Sequence, residues 1–208
     1  MTKYGMAIDT NRCTGCNMCS MSCRVDHNLP NDVLYSKAVT DGSEYFRVPT
    51  GTYPNDLTMT FYTMACQHCD NPSCVEVCPT GAAYKREEDG IVLIDNEKCI
   101  GCKSCVAACP YEGVRTLLSS EPTYPLDFQI GDYRAQEHKP NTMEKCTFCV
   151  ERIDGGERPL CIDLCPAVAR YFGDLDDPES EISKVLQQRE YDQLLTDQGT
   201  GPNVYFLR

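Results

Sequence analysis

Residues 99–110 read Cys99-Ile100-Gly101-Cys102-Lys103-Ser104-Cys105-Val106-Ala107-Ala108-Cys109-Pro110. Four thiols recur there with two, two and three residues between them, and a proline closes the run. An equivalent run, Cys13, Cys16, Cys19 and Cys23, lies at an offset of 86 (Cys13 to Cys99), preceded by Ile8-Asp9 where the later copy has Ile94-Asp95. Two looser groups follow them: Cys66, Cys69, Cys74, Cys78-Pro79 and Cys146, Cys149, Cys161, Cys165-Pro166. Their second halves match at an offset of 87 (Cys74 to Cys161), which Tyr84 and Tyr171 also keep. All 16 cysteines are accounted for, and the chain reads as a two-motif unit written twice, in the order A, B, A′, B′.

The spacing C-x2-C-x2-C-x3-C, followed by proline, is the bacterial ferredoxin signature. A tight loop turns three thiolates toward one face of a cuboidal iron–sulfur cluster. The glycine before the second cysteine, Gly15 or Gly101, frees the loop to turn closely. The fourth cysteine points away on the following helix and serves the other cluster of the pair. Proline after it redirects the chain. Group one has Arg24 in place of that proline, which predicts a different local path with the ligand retained. Crossed ligation makes groups two and three one unit, with sets Cys66, Cys69, Cys74, Cys109 and Cys78, Cys99, Cys102, Cys105. Groups one and four make the other, with sets Cys13, Cys16, Cys19, Cys165 and Cys23, Cys146, Cys149, Cys161. Four [4Fe–4S] clusters then take every cysteine as an iron ligand.

The expected fold class is α+β: two bacterial-ferredoxin-like units, each holding two [4Fe–4S] clusters, one inserted into the other. The discontinuous unit is 1–60 plus 140–175, the inserted unit 61–118, and 119–139 a connecting loop; 176–208 forms a C-terminal helix and strand extension. A disulfide framework calls for scattered cysteines in a secreted chain, whereas these recur in register. Zinc ribbons use C-x2-C pairs but give no reason for the proline. His68, between Cys66 and Cys69, reads as a loop residue donating a hydrogen bond. His27 and His138 read as surface residues; Lys98, Lys103 and Lys145, beside cysteines, are candidates to tune cluster potentials by adjacency, with ordinary surface lysines the favoured reading.

The 208 residues carry 31 acidic and 19 basic side chains, a formal charge of −12. Nucleic acid is excluded as the main partner, since phosphate binding needs a basic face, and so is an anionic membrane surface. Clusters held by four thiolates add roughly −2 each when oxidised, so the balance suits an acidic electron carrier. No segment approaches the ~18 apolar residues of a membrane helix, and the N-terminus has neither a signal-peptide core nor a twin arginine. The expectation is a chain without its own membrane span or export signal, either cytoplasmic or exported while bound to a partner that bears a Tat signal. No nucleophile–base pair, phosphate loop or dinucleotide fingerprint is present, so a non-catalytic role is expected.

Outside the motifs, Lys3–Asp9 and Gly90–Asp95 read as strands, and Cys19–Val25 and Cys105–Cys109 as short helices. Segments 24–65 and 111–145, broken by Asn, Asp, Gly and Pro, read as long connections. Asp177-Pro178 reads as a helix start. Ile182, Val185, Leu186, Leu194 and Leu195 form the helix's apolar stripe, and 199–208 reads as a turn and terminal strand.

The four groups in this order resemble the four-cluster iron–sulfur (beta) subunits of molybdopterin oxidoreductases of the dimethyl sulfoxide reductase family. The C-x2-C-x4-C-x3-C-P and C-x2-C-x11-C-x3-C-P forms of groups two and four carry the likeness. The stretch Gly173-Asp174-Leu175-Asp176-Asp177-Pro178 and the Gly199-Thr200-Gly201-Pro202 segment are similar to polysulfide/thiosulfate and respiratory arsenate reductase small subunits. Arg86–Asp95 is similar to the small subunits of transhydroxylase and catechol dehydroxylases. Some relatives replace one cysteine and hold a three-iron cluster; group three is intact here. The resemblance implies a relay of single electrons to or from a large subunit with Mo- or W-bisMGD. The other end of the relay is a membrane quinone-reactive subunit or a soluble donor. The enzyme expected is a reductase of a sulfur oxyanion, polysulfide, arsenate or sulfoxide, or a catechol dehydroxylase or transhydroxylase. The competing reading is a free-standing polyferredoxin.

Overall fold

A computed structural model describes residues 2–40 and 48–208. Met1, and residues 41–47 within the 24–65 connection, lie outside the described residues. The elements run β1 (Tyr4–Asp9), α1 (Met18–Asp26), β2 (Ser36–Thr40), β3 (Phe61–Ala65), α2 (Ser73–Glu76), β4 (Ala83–Lys85), β5 (Val92–Ile94), α3 (Ser104–Ala107), β6 (Thr116–Leu118), β7 (Thr142–Glu144), α4 (Val150–Asp154), α5 (Leu160–Asp163), β8 (Arg170–Asp174), α6 (Glu181–Gln188), β9 (Tyr191–Asp192) and β10 (Val204–Leu207). Short helices and short strands alternate, a mixed α+β chain.

The main sheet has the order β8-β1-β10-β9. β1 runs antiparallel to β8 and parallel to β10, so the two ends of the chain close one sheet. Its side chains alternate as a strand covered on both faces requires. Met6 and Ile8 enter a core with Phe148, Phe172, Val204 and Phe206. Ala7, on the opposite face, packs with Ile182 of α6 and Leu207. Ile91 and Leu93, from the middle of the chain, enter the same core as Met6 and Ile8, so the two halves share one interior.

The connections are built differently from the sequence expectation. Segment 24–65 contains β2 and β3, and segment 111–145 contains β6 and β7; each pair forms an antiparallel hairpin. Helix α1 continues past Cys23 to Asp26, whereas α3 ends at Ala107, before Cys109-Pro110. Arg24 can continue a helix where proline cannot, which accounts for the different path. Helix α6 starts one turn later than Asp177-Pro178 suggests. Ser180 caps it, its Oγ accepting the Ser183 amide at 3.2 Å. It ends at Gln188, so Leu194 and Leu195 lie beyond it.

Candidate metal centres

The two tight cysteine loops adopt one conformation twice. Gly15 and Gly101 have φ of 63° and 64°, and Asn17 and Lys103 both have φ of 62°. Cys13 N–H donates to Asp9 O at 2.9 Å, and Cys99 N–H to Asp95 O at 3.0 Å. These left-handed positions favour glycine and asparagine. A Cβ on Gly15 would lie 2.3 Å from the Phe61 ring, and one on Gly101 would lie 2.6 Å from the Asn141 carbonyl oxygen. The glycines therefore also admit the neighbouring hairpins, which spacing alone does not reveal.

The structure gathers the thiols across the chain. Cys13, Cys16, Cys19 and Cys165 line one cavity. Cys78, Cys99, Cys102 and Cys105 line another. Cys23, Cys146, Cys149 and Cys161 line a third, whose walls also include Cys19 and Cys66. Cys69 lies within electrostatic reach of Cys66, Cys74 and Cys109. All sixteen are free thiols. Cys16 and Cys102 are exposed, while Cys23, Cys66, Cys74, Cys105 and Cys149 are buried.

Burial and then the neighbouring thiols Cys149, Cys146 and Cys161 push Cys23 well above the ordinary thiol range. Burial pushes Cys146 up to about 12, the Phe148 amide partly opposing it. Burial likewise raises Cys69 to about 11, against a hydrogen bond from Thr200. Packed, desolvated thiols of this kind ionise only with a cation to compensate them. Iron supplies that charge, and thiolates are the natural ligands of iron–sulfur clusters. Backbone amides already point at several sulfurs: Ala83 N–H to Cys78 Sγ at 3.3 Å, Ala169 to Cys165 at 3.4 Å and Phe148 to Cys146 at 3.5 Å. The donor set therefore fits [4Fe–4S] clusters.

A second set of residues positions the loops, and spacing did not single it out. Asn203 holds the group-two loop, its Nδ2 donating to His68 O at 2.8 Å and Asp70 Oδ1 at 3.0 Å. The amides of Asp70 and Asn71 donate to Gly201 O and Thr200 O. Thr200 also meets the Tyr111 hydroxyl at 2.8 Å. The Gly-Thr-Gly-Pro segment is thus a clamp on Cys66–Cys74. Only its likeness to relatives pointed there.

The histidines depart from the sequence reading. His27 and His138 are buried, at 4% and 6% exposure, not on the surface. His138 Nδ1 faces Glu144 Oε1 at 3.1 Å, Glu144 Oε2 accepts the Tyr35 hydroxyl at 2.6 Å, and His27 Nδ1 sits 3.7 Å from Cys23 Sγ. A polar network can be buried when its members satisfy one another. His68 is in a loop as expected, but its ring Nδ1 accepts the Val92 amide at 3.2 Å instead of donating. Burial, then Lys145 and Arg115, hold it well below the usual histidine range. Lys98 and Lys103 are exposed, whereas Lys145 is buried. Its ammonium donates to Val92 O and to Cys146 O.

The 4Fe-4S dicluster domain family matches residues 57–122 and 132–175, and a second family of that description matches 12–82. The chain is 43% identical over 212 residues to a putative dimethyl sulfoxide reductase iron–sulfur subunit of Halobacterium salinarum, covering 100% of this chain and 79% of that protein. It is 35% identical to the arsenate respiratory reductase iron–sulfur subunit of a Shewanella species, covering 99% of this chain and 96% of that one. With the corresponding sulfite dehydrogenase subunit of Allochromatium vinosum it shares 39%, over 100% of this chain and 83% of that one. With thiol sets that fit cubane clusters and likeness along its whole length, the chain belongs to the iron–sulfur subunits of dimethyl sulfoxide reductase-family oxidoreductases, electron-transfer subunits and not catalytic ones.

Proposed function

We propose that this chain carries single electrons through four [4Fe–4S] clusters to or from a large molybdopterin catalytic subunit with Mo- or W-bisMGD. The proposed ligand sets are Cys13/Cys16/Cys19/Cys165, Cys23/Cys146/Cys149/Cys161, Cys66/Cys69/Cys74/Cys109 and Cys78/Cys99/Cys102/Cys105. The proposed units are 1–60 with 140–175, holding the first two sets, and 61–118, holding the other two. In this division β2–β3 and β6–β7 join one unit to the other. When bound, clusters of this type supply one-electron redox chemistry.

The observation that carries this reading is the serial arrangement of the sets. Cys19 lines both the cavity of the first set and that of the second. Cys66 lines the latter and belongs to the third set. Cys74 and Cys105, from the third and fourth sets, share one small core. The order first, second, third, fourth places buried thiols in the middle and the exposed Cys16 and Cys102 at the two ends. Met18 and Met21 are exposed on α1 beside the first end, and Ile100 and Val106 beside the other. Such apolar residues around an exposed ligand suit docking of protein partners. One is the catalytic subunit, the other a membrane quinone-reactive subunit or a soluble donor.

The chain's own residues hold the sulfurs, donate N–H bonds to them and exclude water from the middle sets. The substrate is chosen in the partner. The similar proteins are named for dimethyl sulfoxide, arsenate, sulfite, tetrathionate and selenate, which span reductases and a dehydrogenase, so the partner also sets the direction of flow. The test is elemental analysis of the native complex purified without oxygen. About sixteen iron atoms per chain, four per cluster, together with molybdenum or tungsten, is the expected result. The same iron with neither metal, in a chain that purifies alone, overturns the partner assignment.

A further inference from the structure

Among the described residues three cations are buried: Arg170 at 5% exposure, Lys145 at 3% and Arg115 at 8%. Among the described residues none of them pairs with a carboxylate, although the less buried Arg86, Arg134, Arg152 and Arg158 all do. Nε and Nη1 of Arg115 and of Arg170 have no hydrogen-bond partner among the described residues. A charge in the interior is costly unless an opposite charge faces it. Cysteine thiols lie within electrostatic reach of all three, and the Lys145 ammonium also donates to two backbone carbonyls.

Their placement follows the order of the sets. Arg170 lines both the cavity of the first set and that of the second, so it stands in the wall between them. Its Nη2 contacts Met6 Sδ at 3.1 Å, and Cys161, Cys19, Cys146 and Cys165 surround it. Lys145 precedes Cys146 of the second set, donates to Val92 O and Cys146 O, and acts electrostatically on Cys74 of the third. Arg115 lies within electrostatic reach of Cys66, Cys74 and Cys109 of the third set and Cys105 of the fourth. Four sets leave three gaps, and each gap holds one buried cation. The repeat does not explain this. The counterpart of Arg170 in the second copy is Ala83, and Arg115 comes from a different place, just before β6.

We propose that Arg170, Lys145 and Arg115 are positioning residues of the relay, one fixed positive charge in each gap between consecutive clusters. The proposal rests on the four-cluster reading above. Reduction adds one electron to a cluster that is already anionic. A desolvated cation in the gap stabilises the reduced form of both neighbours, so it raises their potentials and weakens the repulsion between them. Nothing but the electron moves: one cluster of a pair is oxidised as the other is reduced.

The test uses the full chain produced anaerobically with its catalytic partner. Arg170→Met, Lys145→Met and Arg115→Met remove charge, and Arg170→Lys, Lys145→Arg and Arg115→Lys keep it. Iron and sulfide are counted and midpoint potentials measured by redox-titrated EPR. Each neutral variant should shift the two clusters flanking its gap to more negative potentials. Arg170→Met should leave the Cys78/Cys99/Cys102/Cys105 cluster unmoved, and charge-keeping variants should restore the wild-type values. Full iron with unmoved potentials, or an equal shift of all four clusters, overturns the proposal. Where a neutral variant loses iron, recovery by its charge-keeping partner supports a role for charge, and loss in both overturns it. A wild-type chain with fewer than four clusters would instead refute the reading on which the proposal rests.

Discussion

Strand β1 meets β8 in the register Ala7↔Tyr171 and Ile8↔Arg170, and β5 meets β4 in the register Leu93↔Tyr84 and Ile94↔Ala83. At offsets of 86 and 87 these are the same pairs. Even the bond that closes each strand pair repeats, Asp9 N–H to Ala169 O at 2.7 Å and Asp95 N–H to Ala82 O at 2.8 Å. What surrounds them differs. The first pair gains β10 and β9 in its sheet and α6 on its outer face, while the second remains two-stranded. Asp9 is consequently 1% exposed and bonded by Arg189 of the C-terminal region. Its counterpart Asp95 is only half-buried and pairs with the exposed Lys98, 2.8 Å away. Local sequence preserves backbone conformation through a duplication, whereas burial and charge follow whatever the rest of the chain lays over each copy.

The largest effect tests whether the fourth cysteines of both copies cross. Cys109→Ser should remove the cluster of Cys66, Cys69 and Cys74 and spare that of Cys99, Cys102 and Cys105, lowering iron by about four atoms. Cys23→Ser should likewise disturb the Cys146/Cys149/Cys161 set. Redox-titrated EPR in which Cys109→Ser abolishes the signal of its own sequence neighbours would reject crossing.

The loop glycines come next. Alanine at either position meets the left-handed cost of about 1–2 kcal/mol. Gly101→Ala should exceed this because its Cβ meets a backbone oxygen, and Gly15→Ala should be partly relieved by Phe61→Leu, since its obstacle is a side chain. Gly81 also has positive φ but open space around it, so Gly81→Ala should show only the backbone cost. Thermal unfolding of the loaded chain reads all three, and equal losses at Gly81 and Gly101 would remove the close-approach argument.

The aspartates provide a smaller contrast. Burial pushes the Asp9 carboxyl up, but the Arg189 guanidinium and the amides of Arg12 and Asn11 outweigh it and leave it below the usual carboxylate range. A lowered folded-state pKa contributes stability above the unfolded value of about 4, and that stability is lost as pH falls through the lower folded value. Arg189→Ala leaves a buried acceptor unpaired and should cost about 1–2 kcal/mol at neutral pH, with the loss shrinking as pH falls below the unfolded value of about 4 and through the lower folded value of Asp9. Lys98→Ala, at a solvent-exposed pair, should leave stability unchanged. Urea unfolding across this pH range checks both, and an Arg189→Ala deficit that grows as pH falls would contradict the sign.

The sixteen candidate ligands, the paired loops and the strands before them were legible because C-x2-C loops and left-handed glycines are local features with local causes. The β2–β3 and β6–β7 hairpins were not, since Pro- and Gly-punctuated stretches carry little periodicity and pair only once both ends are folded. The helix stripe was extended too far, to Leu194 and Leu195, because apolar spacing cannot register a chain reversal after Gln188. Arg170 carried no signal in the sequence, and Lys145, a tuning candidate by its adjacency to Cys146, could not be told there from Lys98 and Lys103, which are exposed.

By itself, the sequence determined the chemistry: sixteen thiols at spacings that suit iron–sulfur clusters, written twice, in a chain too acidic for nucleic acid. Tertiary structure alone decided which sets stand next to one another, which cysteines are exposed at the ends, and that His27, His138, Lys145, Arg115 and Arg170 are inside. Ligand spacing is a property of a few consecutive residues, but the stability of a buried charge depends on the groups opposite it, and those are contributed by distant parts of the chain.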